Sequence, residues 1–136
     1  MKNNFINVQD RLINKDNIVL IEILELDSFK YRAKLLLKGE FSIEIDYENF
    51  TSLSFDLHTI ESLGFTTLKE FDFQDKIIST YYINKKYLSG IAFSTQEYEN
   101  KNYVIASLLL TECIEEPYPI LTNFKSISEG AGYFGL

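Results

Sequence analysis

The sequence predicts a mainly β fold (β-rich α+β), an antiparallel meander of about six to eight strands curled into a sandwich or half-open barrel. Two observations predict it. Apolar residues alternate with polar ones over several segments, the pattern of strands with one buried face. These segments are separated by short polar turns rich in Asn and Gly. With 136 residues, 46% of them hydrophobic, residues 1–136 are expected to form a single domain around a packed core.

The most definite element is a hairpin over residues 29–48. Both halves alternate apolar and charged side chains, and Gly39 between them suits the positive φ of a tight turn. A three-residue loop at positions 38–40 sets basic residues opposite acidic ones: the predicted pairs are Lys34–Glu44, Arg32–Asp46 and Lys30–Glu48. A two-residue loop would instead set Lys34 against Ile45. The charges of this hairpin are therefore expected to cancel.

Further strands are predicted on both sides of this hairpin. Residues 18–26 are apolar on both faces, which predicts a well-covered first strand. The meander is expected to continue through three strands, at residues 76–84, 88–98 and 103–114. The last of these is apolar on both faces up to Leu110 and is expected at a central position, while Gly90 suggests a bulge. Residues 1–17 show too little periodicity for a prediction.

Two segments show less regular patterns of apolar and polar residues. Residues 49–75 fit both helix and strand in places, and one short helix near 57–63 is predicted, ended by Gly64. Residues 117–136 are predicted to be an extended Gly/Pro-containing C-terminal segment. The G-x-G-x-x-G match at 130–135 is interpreted as accidental, because a dinucleotide fingerprint opens a helix and none is expected there.

The charge balance excludes several classes of function. Twenty acidic residues face thirteen basic ones, for a net charge of -7. Such a chain is not expected to bind nucleic acid directly, which needs a basic surface against the phosphates, or to bind membranes through a polybasic patch. The sequence has no continuous apolar signal-peptide core and no apolar run long enough to span a bilayer, which predicts a cytoplasmic protein.

No catalytic, cofactor-binding or metal site is predicted. The chain has one cysteine, Cys113, and one histidine, His58, which is too few for a multi-histidine metal site or an internal disulfide. Glutamates flank Cys113 and raise its pKa, so the thiol is expected to be structural rather than nucleophilic. Carboxylate pairs such as Asp72 with Asp75 could serve acid–base chemistry only if a cleft held them at a defined separation.

One pattern points to a binding surface: acidic residues repeatedly stand beside aromatic ones. The predicted partner-binding residues fall in three segments: Glu70, Asp72 and Asp75; Glu97, Tyr98 and Glu99; Glu115, Glu116 and Tyr118. The excess negative charge concentrates in residues 49–75, which carry -4, and residues 112–136, which carry -3. An acidic surface speeds encounter with a basic protein, and aromatic side chains can anchor the docked complex. The simpler interpretation is that the charge only maintains solubility.

The predicted function is therefore a non-enzymatic binding protein that inhibits or masks a basic protein partner, such as a cognate immunity protein neutralising a toxin nuclease. An alternative is a small-molecule-binding β-barrel carrier with a cavity lined by Phe and Tyr. A further alternative is an acidic, nucleic-acid-mimicking antagonist of a defence enzyme. An enzyme that uses His58 or a carboxylate pair is ranked below these. The sequence predicts no oligomeric state.

Overall fold

The computed structural model describes residues 5–26, 30–49, 65–111 and 116–135, together with Leu53 and His58. In this part of the chain ten antiparallel strands form three open sheets, which confirms the predicted mainly β, sandwich-like class. The strands are β1 Phe5–Val8, β2 Arg11–Asn14, β3 Ile18–Glu25, β4 Tyr31–Leu37, β5 Phe41–Tyr47, β6 Thr66–Phe71, β7 Ile77–Ile83, β8 Leu88–Tyr98, β9 Lys101–Leu110 and β10 Tyr118–Leu121.

A five-stranded sheet in the order β5-β4-β3-β7-β6 lies at the centre of the fold. One of its faces packs against the three-stranded sheet β10-β9-β8, where Leu20 and Ile83 share a core with Leu108 and Ile120. The other face packs against the β1–β2 hairpin and Leu53. Strand β3 is the middle strand and is covered on both faces, which explains why its sequence is apolar almost throughout.

The predicted hairpin register is confirmed. Strands β4 and β5 pair Leu37 with Phe41 and Arg32 with Asp46 across a three-residue loop, in which Gly39 has φ +87°. Arg32 Nε donates to Asp46 Oδ1 at 2.7 Å, and this hydrogen bond lowers the pKa of Asp46. Lys30 Nζ lies 3.5 Å from Glu48 on the same outer face. The charges of the hairpin neutralise each other as predicted.

Several other predicted strands are also confirmed. Strands β3, β7 and β8 lie within one residue or so of their predicted bounds, and β9 is the central strand of its sheet. The β8–β9 register shifts between Leu88 and Gly90, the bulge that Gly90 suggested. The prediction of a strand over residues 103–114 is confirmed up to Leu110, and residues 112–115 lie outside the described part of the chain.

The chain departs from the predicted meander at three places. In the five-stranded sheet the consecutive strands β5 and β6 lie at opposite edges, and β3 pairs with β7. Residues 5–14 form a hairpin that was not predicted, since strands of four residues are too short to show a clear alternation. After β7 the chain leaves the five-stranded sheet and enters the three-stranded one. The crossing runs through a short 3₁₀ turn at Lys85–Tyr87, capped by the Asn84 side chain. Tyr87 is buried there and its hydroxyl donates to the carbonyl of Asp16.

The predicted extended C-terminal segment is wrong over residues 127–133, which form an α-helix. Strand β10 is extended, as predicted for this part of the segment, and it pairs with β9. The Ser126 hydroxyl accepts from the Glu129 N–H, and the Glu129 carboxylate accepts from the Lys125 N–H. These two reciprocal hydrogen bonds cap the N-terminus of the helix. Gly130 is buried in close contact with the Phe93 ring, so this glycine serves close packing rather than flexibility.

The helix predicted near residues 57–63 lies outside the described residues, apart from His58, which is helical and exposed.

Candidate functional site

The structure brings two of the three predicted acidic segments together at one end of the sandwich. The turn between β6 and β7 and the turn between β8 and β9 lie side by side there. We call this surface the acidic tip and define it by six residues: Asp72, Phe73, Asp75, Glu97, Tyr98 and Glu99. Sequence reasoning selected five of these residues, and Phe73 is the sixth.

Two aromatic side chains join the turns of the acidic tip. The rings of Phe73 and Tyr98 are stacked, with centroids 4.4 Å apart and planes 20° from parallel. Tyr103 packs edge-on against Phe73 at 5.1 Å, and its hydroxyl donates to the Phe73 carbonyl at 2.9 Å. Tyr98 remains 39% exposed. The tip therefore presents an aromatic surface that is held in place from beneath.

The backbone of the acidic tip is fixed by local hydrogen bonds and turn geometry. Asp72 Oδ1 accepts from the N–H groups of Gln74 at 2.8 Å and Lys76 at 3.0 Å, which closes the β6–β7 turn. Glu99 and Asn100 both have positive φ, as the two central residues of a type I′ hairpin turn require. Both turns are thus formed in the free protein.

The charge of the acidic tip is smaller than the sequence suggested. Lys101 Nζ lies 2.7 Å from Asp75 Oδ2, and this hydrogen bond raises the pKa of Lys101. The excess negative charge that the sequence concentrates in residues 49–75 is therefore partly offset at Asp75, because the hairpin of β8 and β9 brings Lys101 to it. The carboxylates of Glu97 and Glu99 are exposed beside this ion pair.

Glu70 lies in the interior rather than on the predicted acidic surface. It is half-buried and contacts a polar cluster between the two sheets. The Tyr81 hydroxyl oxygen lies 2.9 Å from Glu70 Oε1 and 2.6 Å from Glu22 Oε2, and the Ser79 hydroxyl donates to Glu22 at 3.3 Å. Strands β3, β6 and β7 each supply part of this cluster, which forms because their side chains face the same layer.

Burial and hydrogen bonding shift the pKa values of Glu70 and Tyr81 in this cluster. Tyr81 has one hydroxyl proton and lies within hydrogen-bond distance of both carboxyl groups, so Glu22 and Glu70 share a single phenolic donor. Burial raises the pKa of Glu70, a hydrogen bond from Tyr81 lowers it, and the negative charge of Glu22 raises it further. Burial likewise raises the pKa of Tyr81, as does its hydrogen bond to Glu22. Folding therefore favours the protonated form of Glu70 relative to the unfolded chain.

Sequence reasoning missed Glu22 and Tyr81, although one signal was available. Glu22 is a charged residue in the middle of a strand whose other residues, up to Leu24, are apolar. A carboxylate at such a position needs a polar partner from a neighbouring strand, and Tyr81 is the partner that β7 supplies. The identity of that partner depends on which strands are neighbours, which the sequence did not predict.

The third predicted segment does not reach the acidic tip. Tyr118 is half-buried and packs edge-on against Tyr81, with ring centroids 5.8 Å apart, and burial raises its pKa. Glu116 is exposed, but Tyr118 pairs with Leu108, seven residues along β9 from Lys101. At about 3.3 Å per residue that is roughly 23 Å from the tip. Glu115 lies outside the described residues.

A cleft of about 390 Å³ opens between the two sheets next to the acidic tip, and we call it the inter-sheet cleft. Its walls are mostly apolar, formed by Phe71, Phe73, Ile78, Ile105, Pro119 and Leu121. The polar groups that line it are Glu70, Asp72 and Gln96. A β-bulge adjoins it, since Glu70 pairs with Ser79 but Phe71 pairs with Ile77, leaving Ile78 as an extra residue on β7.

A second cleft, of about 420 Å³, lies on the other side of Phe71. It is bordered by β6 and by the C-terminal helix, whose Tyr133 hydroxyl donates to the Thr67 carbonyl. The cavity of the predicted barrel carrier is not formed by the described strands, because the sheets remain open.

Other candidate groups do not form a site in the part of the chain that can be described. His58 is exposed, and Cys113 lies outside the described residues. Among the described residues, no group of three or more His, Cys, Asp or Glu side chains is arranged to hold a metal ion. Within those same ranges no helix is long and apolar enough to cross a bilayer.

In comparisons with known proteins, no protein-family model, no curated protein and no solved structure matches this chain.

Proposed function

We propose that this chain is a non-enzymatic binding protein that inhibits or masks a basic protein partner, in the way that a cognate immunity protein neutralises a toxin nuclease. The acidic tip is the surface that contacts the partner. The observation that carries this proposal is the stack of Phe73 on Tyr98, which joins two acidic turns into one exposed surface. The proposal places the protein in the cytoplasm, as the sequence predicts.

Three properties of the tip support a role in protein binding. Tyr98 offers a large ring that is partly exposed and already oriented, which suits a binding anchor. Glu97 and Glu99, the residues on either side of Tyr98 in the chain, carry exposed carboxylates that can steer a basic partner towards the tip. The turns are formed before binding, so little conformational entropy is lost on docking.

The proposal is tested by identifying the partner and mapping its contacts. The tagged protein is used to capture partners from a lysate of the native host, and each captured protein is produced separately. The expected partner is basic, binds the purified chain directly, and loses its own activity when bound. Glu97→Gln combined with Glu99→Gln is expected to weaken binding about tenfold, since each rim carboxylate contributes modestly.

Glu44→Gln is the matched control, because Glu44 is an exposed carboxylate on β5, in the hairpin whose charges cancel. This variant is expected to bind like the original protein. A partner that binds equally well to all three proteins, or one that contacts the β4–β5 hairpin instead of the tip, would contradict the proposal.

A further inference from the structure

The inter-sheet cleft has the chemistry of a receptor for an organic cation. It combines apolar walls with two carboxyl groups, Glu70 and Asp72, and the residues described as lining it include no lysine or arginine. Lys69, the neighbouring residue on β6, lines the second cleft instead. The walls can cover an aliphatic chain, and the carboxyl groups can pair with a positive charge at its end.

The aromatic lining favours a guanidinium group over other cations. Phe71 and Phe73 both border the cleft, and a planar guanidinium stacks on aromatic rings while pairing with a carboxylate. Phe73 also belongs to the acidic tip, so the cleft is continuous with the surface proposed to contact a basic protein. A partner docked on the tip would therefore have the cleft within its contact area.

We propose that the inter-sheet cleft receives an arginine side chain of the basic partner, with the guanidinium group paired to Glu70 and the aliphatic stem against Phe71 and Ile105. This inference rests on the proposed function, because it assigns a contact within the same complex. Burial raises the pKa of Glu70, which faces Glu22 and Tyr81, and pairing with a cation favours the carboxylate form, so binding is expected to strengthen as the pH rises through that pKa.

The cleft can be tested without the partner by titrating the full chain with n-butylguanidinium, an analogue of the arginine side chain. N-butylurea is the control ligand, since it has a similar shape without the charge. We expect n-butylguanidinium to shift the amide NMR signals of Glu70, Phe73 and Ile105, with a Kd of about 1 to 10 mM for so small a ligand. N-butylurea is expected to bind at least about tenfold more weakly.

A variant identifies the charged contact. Glu70→Gln keeps the size of the side chain and an acceptor for the Tyr81 hydroxyl, so the fold is expected to be retained. It should weaken n-butylguanidinium binding at least about tenfold and abolish the increase in affinity with pH. Glu44→Gln, on the hairpin of β4 and β5, should bind the probe like the original protein.

The possible results separate this inference from the proposed function. Equal binding of n-butylurea, binding that survives Glu70→Gln, or the absence of shifts around the cleft would overturn the arginine assignment. None of these results would affect capture of a basic partner through the acidic tip. Conversely, if n-butylguanidinium binds the cleft as expected but no basic partner depends on the tip, the proposed function fails and the cation site stands.

Discussion

Glu70 is a carboxyl group whose protonation is coupled to folding. It contacts a phenol that is shared with Glu22, and burial between the sheets raises its pKa above the ordinary value of 4.5. The folded chain thus binds this proton more tightly than the unfolded chain. The stabilisation is complete below the unfolded pKa and is lost as the pH rises through the folded pKa.

Glu70→Gln is expected to remove the decrease in the free energy of unfolding that occurs as the pH rises through the folded pKa of Glu70. One titrating group changes the free energy of unfolding by at most about 1.4 kcal/mol per pH unit, which is the upper limit for the slope that the variant removes. Urea unfolding followed by circular dichroism over a series of pH values measures it. Glu44→Gln should keep the original slope. A profile for Glu70→Gln that runs parallel to the original would show that folding does not raise the pKa of Glu70.

Tyr98 stabilises the acidic tip as well as exposing a binding surface. Its ring stacks on Phe73 at 4.4 Å, in a pair of the kind that contributes about 0.5–1.5 kcal/mol beyond the area buried. Tyr98→Ala is therefore expected to lower the free energy of unfolding by about 1 kcal/mol. Tyr98→Phe keeps the stack and should cost much less. Thermal or urea unfolding of the two variants distinguishes these outcomes, and equal losses would contradict a stabilising stack.

The C-terminal helix, Ile127–Tyr133, contains two glycines, one in tightly packed surroundings and one in open space. A Cβ added at Gly130 would lie 2.8 Å from the Phe93 ring and 3.1 Å from Phe124, whereas a Cβ at Gly132 would contact nothing within 4 Å. Gly130→Ala should therefore cost about 1–3 kcal/mol through overpacking. Gly132→Ala should stabilise the protein by about 0.5–1 kcal/mol, since alanine is the better helix former.

This pair of variants tests how the helix packs on the three-stranded sheet. The free energy of unfolding is measured for both by urea denaturation. If Gly130→Ala is as well tolerated as Gly132→Ala, the helix does not sit against Phe93 as the structure has it.

The elements that could be predicted from sequence are those whose register is determined by local patterns. The β4–β5 hairpin is specified by alternating charges and by Gly39, all within a short stretch of chain. The C-terminal helix carried a start signal, Ser126 followed by Glu129, but its glycines suggested an extended segment. The close packing of Gly130 against Phe93 joins residues 37 positions apart, so no local pattern shows it.

At the scale of the whole molecule, the candidate site also combines local features that the sequence shows with long-range contacts that it does not. Acidic residues beside aromatic ones are visible in the sequence at both turns of the tip, because each turn is a local feature of the chain. That the two turns meet depends on the packing of one sheet on the other, through Phe73, Tyr98 and Tyr103. The same packing moves Glu70 and Tyr118 into the interior and opens the inter-sheet cleft beside the tip. Long-range contacts of this kind leave no periodic signal in the chain.

The whole molecule carries a net charge of -7, and this predicts how association with a basic partner responds to salt. Raising the salt concentration screens long-range attraction, so it should slow association much more than it speeds dissociation. Tyr98→Ala should act on the other rate, raising the dissociation rate by an amount equivalent to about 2 kcal/mol if the ring is an anchor. Stopped-flow or surface-based kinetics with the captured partner measure both rates.

Arg32→Glu is the control for these measurements. Arg32 lies on the outer face of the β4–β5 hairpin, so this variant is expected to leave the dissociation rate unchanged. Association that is insensitive to salt, together with an unchanged dissociation rate for Tyr98→Ala, would reduce the acidic tip to a solubility feature.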